Sequence, residues 1–125
     1  MEFRNVRHTD QLTEIRAFYT EVIGLEVLFS FDEHNGYSGV FLGKQGQDWH
    51  LAFTSTTAKA DHHFDEDDLL VFYPETRAEY DAICSRIEAN SLPQLTARNP
   101  YWAGKSVMIQ DPDGYGVIVS HEKAE

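Results

Sequence analysis

The residues able to do chemistry in this chain are few, and their spacing matches no familiar catalytic pattern. Six histidines and one cysteine are spread over 125 positions. His62-His63, set among Asp61, Asp65 and Glu66, is ligand-like by residue type. Adjacent histidines on a polar loop do not aim two rings at one ion, however, so no metal site is expected there. His121-Glu122 is weak for the same reason, and His34, beside Asn35-Gly36, reads as a hairpin residue. Cys84 lies at helical spacing from Tyr80 and Ile87 and next to Ile83. That pattern describes a structural thiol on an apolar face better than a nucleophile, and a lone cysteine excludes an internal disulfide. The chain has no phosphate-cradling glycine loop, GxSxG, HExxH or CxxC.

The elements that would position any site are easier to read. Residues 2–8 read as a strand, followed by a helix from Thr9 or Asp10 to Ile23 whose apolar face is Leu12, Ile15, Phe18, Tyr19 and Val22. Gly24 is its expected left-handed stop. Leu25–Asp32, Tyr37–Leu42 and Asp48–Thr54 read as strands, with Asn35-Gly36 as a tight hairpin between the first two. Residues 55–67 turn polar and acidic and read as an exposed linker. The order then repeats: a strand Asp68–Tyr73, a helix opened by Pro74 and running from Glu75 to Asn90, and a short strand Gln94–Arg98. The loop Asn99–Gly104 follows, then strands Lys105–Gln110 and Tyr115–His121 joined by Asp111-Pro112-Asp113-Gly114. The chain therefore reads βαβββ, linker, βαβββ. This predicts a single α+β domain made of module one at about 1–54, a linker at 55–67 and module two at about 68–125.

Composition narrows the partners. Hydrophobic content is 42%, charged content is 25% and the formal net charge is −11, as for an ordinary acidic globular domain. Such a surface repels phosphate backbones and anionic lipid, so neither nucleic acid nor membrane is an expected partner, while a cationic ligand is compatible. No secretory h-region occurs in MEFRNVRHTD, and no apolar run approaches the roughly 18 residues of a membrane span. The expected compartment is the cytoplasm.

Two segments carry a family likeness. Ile15-Arg16-Ala17-Phe18-Tyr19 followed by Val22-Ile23-Gly24-Leu25, and Asp111-Pro112-Asp113-Gly114-Tyr115, sit at the separation found in the vicinal-oxygen-chelate superfamily of glyoxalases, bleomycin-resistance proteins and extradiol dioxygenases. HNGYSGVFLG, DWHLAFT and NPYW also look like an uncharacterised bacterial glyoxalase-like subgroup. The resemblance implies paired βαβββ modules whose cupped sheets hold a small-molecule site, usually in a homodimer. Metal-dependent relatives place His or Glu at four strand positions, which fall here on Phe3, Ala52, Leu69 and Ile118. None of these side chains binds a metal. A one-residue shift at the first or third position would offer Glu2 or Asp68, so no cofactor is expected unless register differs there.

Strand alternation around those positions would place Asn5 and Arg7, His50 and Thr54, Val71 and Tyr73, and Gly116 and Ser120 on the cup side, together with Tyr37, Gly39, Phe41, Ser106, Met108 and Gln110. The candidate ligand-binding residues are Arg7, Tyr37, Phe41, His50, Tyr73, Trp102, Met108 and Gln110. Each has a plainer role open to it: core packing for His50, Phe41 and Met108, an ion pair for Arg7, and a subunit contact for Tyr101 and Trp102. The expected function is metal-independent binding of an aromatic or cationic small molecule. The alternative is a glyoxalase-like lyase, isomerase or dioxygenase. In a metal-free isomerase or lyase, His50 is the candidate base and Arg7 the anion holder.

Overall fold

A computed structural model describes residues 1–123. Two structural units divide at the linker, one comprising Met1–His62 and the other starting at His63. No helix among the described residues is long and apolar enough to cross a membrane.

The first unit contains β1 (Phe3–His8), α1 (Leu12–Ala17), β2 (Glu26–His34), β3 (Tyr37–Gly43) and β4 (Trp49–Ser55). The helical pattern expected over Thr9–Ile23 is present but starts later. Thr9 Oγ1 accepts the Gln11 backbone N–H, and α1 passes at Phe18 into a π-helical turn that runs to Ile23 and stops at the left-handed Gly24. The wider π turn buries the adjacent pair Phe18 and Tyr19 together with Val22 and Ile23. Asn35 and Gly36 both take positive φ, as a tight hairpin requires and as few other residue pairs tolerate.

These strands form a sheet in the order β1-β4-β3-β2, with β1 parallel to β4 and the other pairs antiparallel. Val40 pairs with Phe53, Leu42 with Leu51, and Arg7 with Phe53, so these residues share one face. Tyr19 stacks on Phe53 at 5.2 Å between ring centroids, which identifies this as the helix-covered side.

The second unit contains β5 (Leu69–Phe72), α2 (Arg77–Ala89), β6 (Ser106–Gln110) and β7 (Gly116–Ser120), in the sheet order β5-β7-β6. Thr76 caps α2 by accepting the Glu79 N–H, while the Glu79 carboxylate accepts the Glu75 N–H, a pairing close to a capping box. Tyr80, Ile83 and Ile87 are its buried residues, and half-buried Cys84 hydrogen-bonds Tyr80. The strand expected over Gln94–Arg98 shrinks to a single bridge between Leu95 and Met108. Pro93 lacks an N–H for a ladder, and Arg98 is drawn instead to Asp65, Glu66 and Asp67 at 2.9, 3.6 and 2.7 Å. The expected exposed linker is therefore tied down at several points. Ala60 N–H bonds Asp10, His62 Nε2 lies 2.6 Å from the His8 carbonyl, and Phe64 packs edge-on against Tyr115.

Asp111 holds the last turn. Its buried carboxylate accepts the N–H groups of Asp113 and Tyr115 at 3.0 and 3.1 Å, while the backbone closes Gly114 N–H onto the Asp111 carbonyl. Asp111→Ala strands both donors and should cost about 2 kcal/mol, read from the urea midpoint. Burial, and secondarily the bond with Cys84, push the Tyr80 phenol from 10.0 up to about 12. Because the folded state favours the neutral phenol, its contribution is present below pH 10 and is lost as pH climbs through about 12. Tyr80→Phe should flatten that part of the alkaline unfolding profile.

Candidate functional site

The site follows from which side chains occupy the face of the first sheet away from α1. Ala52 is paired with Val6 on β1 and with Phe41 on β3, and Gly43 with His50. That face therefore carries Arg4, Val6 and His8 from β1, His50, Ala52 and Thr54 from β4, and Gly39 and Phe41 from β3. The expectation that Phe3, Asn5 and Arg7 share the side of Ala52 is corrected by this register. Arg7 lies instead on the α1 side, 9% exposed, with its Cζ 5.1 Å from the Phe53 ring centroid. Parallel pairing with β4 sets the parity of β1, and FRNVRH carries an arginine in both of its alternating sets.

Beside Phe41 stand two residues that the sequence reading did not assign, Phe29 and Phe31. A bulge between Val27 and Phe29 resets the alternation of β2, so Phe29 pairs with Phe41 and Phe31 with Gly39. The three rings lie 5.5–6.3 Å apart. Gly39 is what allows this, because a Cβ there would come within 2.6 Å of the Phe31 ring. Phe29 remains 55% exposed. The guanidinium of Arg4 lies over Phe41 at 4.0 Å from the ring centroid. The hairpin and two phenylalanines at alternate positions in LEVLFSFD were the available signals for Phe29 and Phe31. The bulge that aligns them with Phe41 has no local signature.

His50 keeps the expected place on this face. Its Nδ1 is buried without a hydrogen-bond partner, while its Nε2 lies 4.0 Å from Glu2 Oε2. Tyr37 shares the parity of Phe41 but lies at the exposed hairpin end. Between the start of α1 and the β2–β3 hairpin is a cleft of about 350 Å³, lined by Thr13, Arg16, Ser30, Phe31, Asp32 and Ser38.

In the second unit the expected parity is observed. Leu69 and Gln110 pair with Gly116, Val71 and Met108 pair with Ile118, and Ser106 pairs with Ser120. Met108 is largely buried and Gln110 is exposed. Tyr73 falls just beyond the end of β5 and is half-buried. Trp102, also half-buried, packs edge-on to Tyr101 at 4.9 Å, and Lys105 Nζ lies 3.4 Å from the Tyr101 ring centroid. A cation from the chain itself thus already occupies one face of Tyr101. Within the first unit Tyr37, Phe41 and His50 share a face, and within the second Met108 and Gln110 do.

The side chains present do not suit the metal used by many proteins of this architecture. Ala52 and Ile118 are fully buried and carry no donor. On the face of Ala52 the donors near β1 are Glu2, His8 and His50, with His8 Nε2 3.1 Å from the Thr56 hydroxyl, and no three His, Cys, Asp or Glu side chains converge among the described residues. Glu2 and His50 alone approach one another there, which falls short of a three- or four-ligand site.

A helix-covered β1-β4-β3-β2 sheet followed by a second βα unit closing on an Asp-Pro-Asp-Gly turn defines the glyoxalase/bleomycin-resistance fold of the vicinal-oxygen-chelate superfamily. Glyoxalase I of Leishmania major superposes with a TM-score of 0.70 at 22% identity, over 94% of this chain and 83% of that one. TnmS3, an antibiotic-binding protein from Streptomyces sp. CB03234, superposes at 0.68 and 19%, over 96% and 93%. The YycE protein of Bacillus subtilis, a protein of unknown function, gives 0.87 at 36% identity over 99% of this chain and 91% of that one. In sequence, YycE of strain 168 is 38% identical over 126 residues, covering 98% of this chain and 88% of the relative. Residues 3–54 match the YycE-like N-terminal domain and residues 67–121 the YycE-like C-terminal domain. The chain belongs to the YycE-like family.

Elemental analysis of the purified protein should find no stoichiometric transition metal, and nickel, zinc, manganese or iron should leave its melting temperature unchanged. A metal bound one per chain would overturn the donor argument.

Proposed function

We propose that this protein is a metal-independent binding protein of the bleomycin-resistance kind, which sequesters an aromatic or cationic small molecule on the face of its first sheet opposite α1. One observation carries the reading. Where a metal enzyme needs imidazole or carboxylate, the chain has Ala52 on that face, and beside it a cluster of Phe29, Phe31 and Phe41 with Phe29 more than half exposed. Aromatic rings left exposed on a folded surface offer area and stacking geometry at small entropic cost. The shared fold of an antibiotic-binding protein is a precedent for binding on this scaffold, though not for the identity of the ligand. We propose further that the protein works in the cytoplasm as a homodimer. Support for the dimer comes from β1, an edge of its sheet that leaves Phe3 and Val6 exposed at 63% and 61%.

A second reading, a metal-free lyase or isomerase, is favoured by the unpartnered Nδ1 of His50, with Glu2 on the Nε2 side of the ring. A base needs such a vacant acceptor within reach of the proton it removes. The two readings differ in outcome, since a binder returns its ligand unchanged after long incubation.

A calorimetric screen of flat aromatic compounds should yield saturable binding at one site per chain. Phe29→Ala should weaken it about threefold to tenfold while the melting temperature stays within about 2 °C, because an exposed ring contributes mainly to stacking. Sedimentation should show a dimer that Val6→Asp dissociates.

A further inference from the structure

Arg4 bears on the charge of the ligand. Three observations converge on it. First, β1 places it on the face of Ala52, as register partner of His50, with its guanidinium 4.0 Å from the centroid of Phe41. Second, among the described residues that stack is the one side-chain interaction Arg4 makes. Among the described residues the guanidinium has no hydrogen bond and no ion pair, although the chain carries 21 acidic residues. Third, the carboxylate on the same face, Glu2, lies beside His50 Nε2 at 4.0 Å. The planar guanidinium thus rests on an aromatic floor with its five N–H donors unengaged, next to the exposed edge of Phe29.

This arrangement disfavours a cation. The ring face that would attract one at Phe41 is already covered by a cation of the chain, and a second positive charge alongside would be repelled. A planar anion gains on both counts, because its ring extends the phenylalanine cluster and its oxygens accept the guanidinium donors in a fork. We infer that the ligand of this face is a planar aromatic anion, with a carboxylate or an ionised hydroxyl on the ring system, and that Arg4 selects it. The inference rests on the binding reading above and narrows its choice between aromatic and cationic ligands. The charge of −11 describes the whole surface, whereas selection at this face is local, over distances shorter than the screening length.

Three probes with one ring system separate the possibilities: 2-naphthoate, 2-naphthamide and 2-naphthylmethylamine. They are titrated into the full chain and followed by calorimetry and by backbone amide shifts. Naphthoate should bind about tenfold more tightly than naphthamide, and the amine most weakly. Naphthoate affinity should fall with added salt while that of the amide holds. Arg4→Gln should erase most of the preference for naphthoate, lowering its affinity far more than that of naphthamide, and Arg4→Lys should restore part of it. Arg4 is exposed, and a melting curve checks that each variant is folded. If the amine binds more tightly than naphthoate, or if Arg4→Gln leaves naphthoate affinity intact, the charge assignment is overturned while aromatic binding stands. If none of the three probes binds the unaltered protein, the binding reading fails and the assignment with it.

Discussion

The alternation of β4 is the constraint on which the rest of the first unit depends. Strand β4 lies between β1 and β3, so each of its side chains is committed to one face of the sheet. Leu51 and Phe53 go toward α1, where Phe53 meets Tyr19. His50, Ala52 and Thr54 go the other way. A one-residue slip would send Phe53 and Leu51 out of the core and bring His50 and Thr54 into it, which no compensating contact could offset. The buried aromatic stack therefore holds the core together and also determines which residues remain on the opposite face.

On the outward side, the small Ala52 and Gly39 sit among bulky neighbours. Gly39 leaves room for the Phe31 ring, and the bulge in β2 brings Phe29 opposite Phe41. A strand pair that could have carried a ligating carboxylate carries an aromatic surface instead. Among the described residues, Arg4 stands on it without an ion pair, held by Phe41 without being neutralised. The second unit contributes a different surface, with Met108 and Ile118 paired across β6 and β7 and Gln110 at the exposed end. Its loops are braced by Arg98 gripping three successive acidic residues, so the acidity of the linker has a structural use.

Much of this was legible in the chain because it depends on local signals. The hairpin at Asn35-Gly36, the stop at Gly24 and the turn at Asp111-Pro112-Asp113-Gly114 each rest on backbone chemistry contained within a few residues. The same holds for the parity of β6 and β7, which are counted from that last turn. The chemistry of Ala52 and Ile118 needs no coordinates either, since neither side chain offers a donor.

Long-range pairing determined the rest. Whether Arg4 or Arg7 faces the side of Ala52 depends on how β1 lies against β4, far along the chain, and both arginines suit either face by composition. The bulge that sets Phe29 against Phe41 relieves a mismatch between two strands and is written in neither strand alone. The loss of the Gln94–Arg98 strand to an ion-pair cluster with residues 65–67 is likewise a competition between distant partners. Sequence determines such features only through the energy of the assembled sheet, where one register buries Phe53 and another exposes it. The identity of the side chains was therefore readable in advance, and the face each one presents became definite only once the strands were paired.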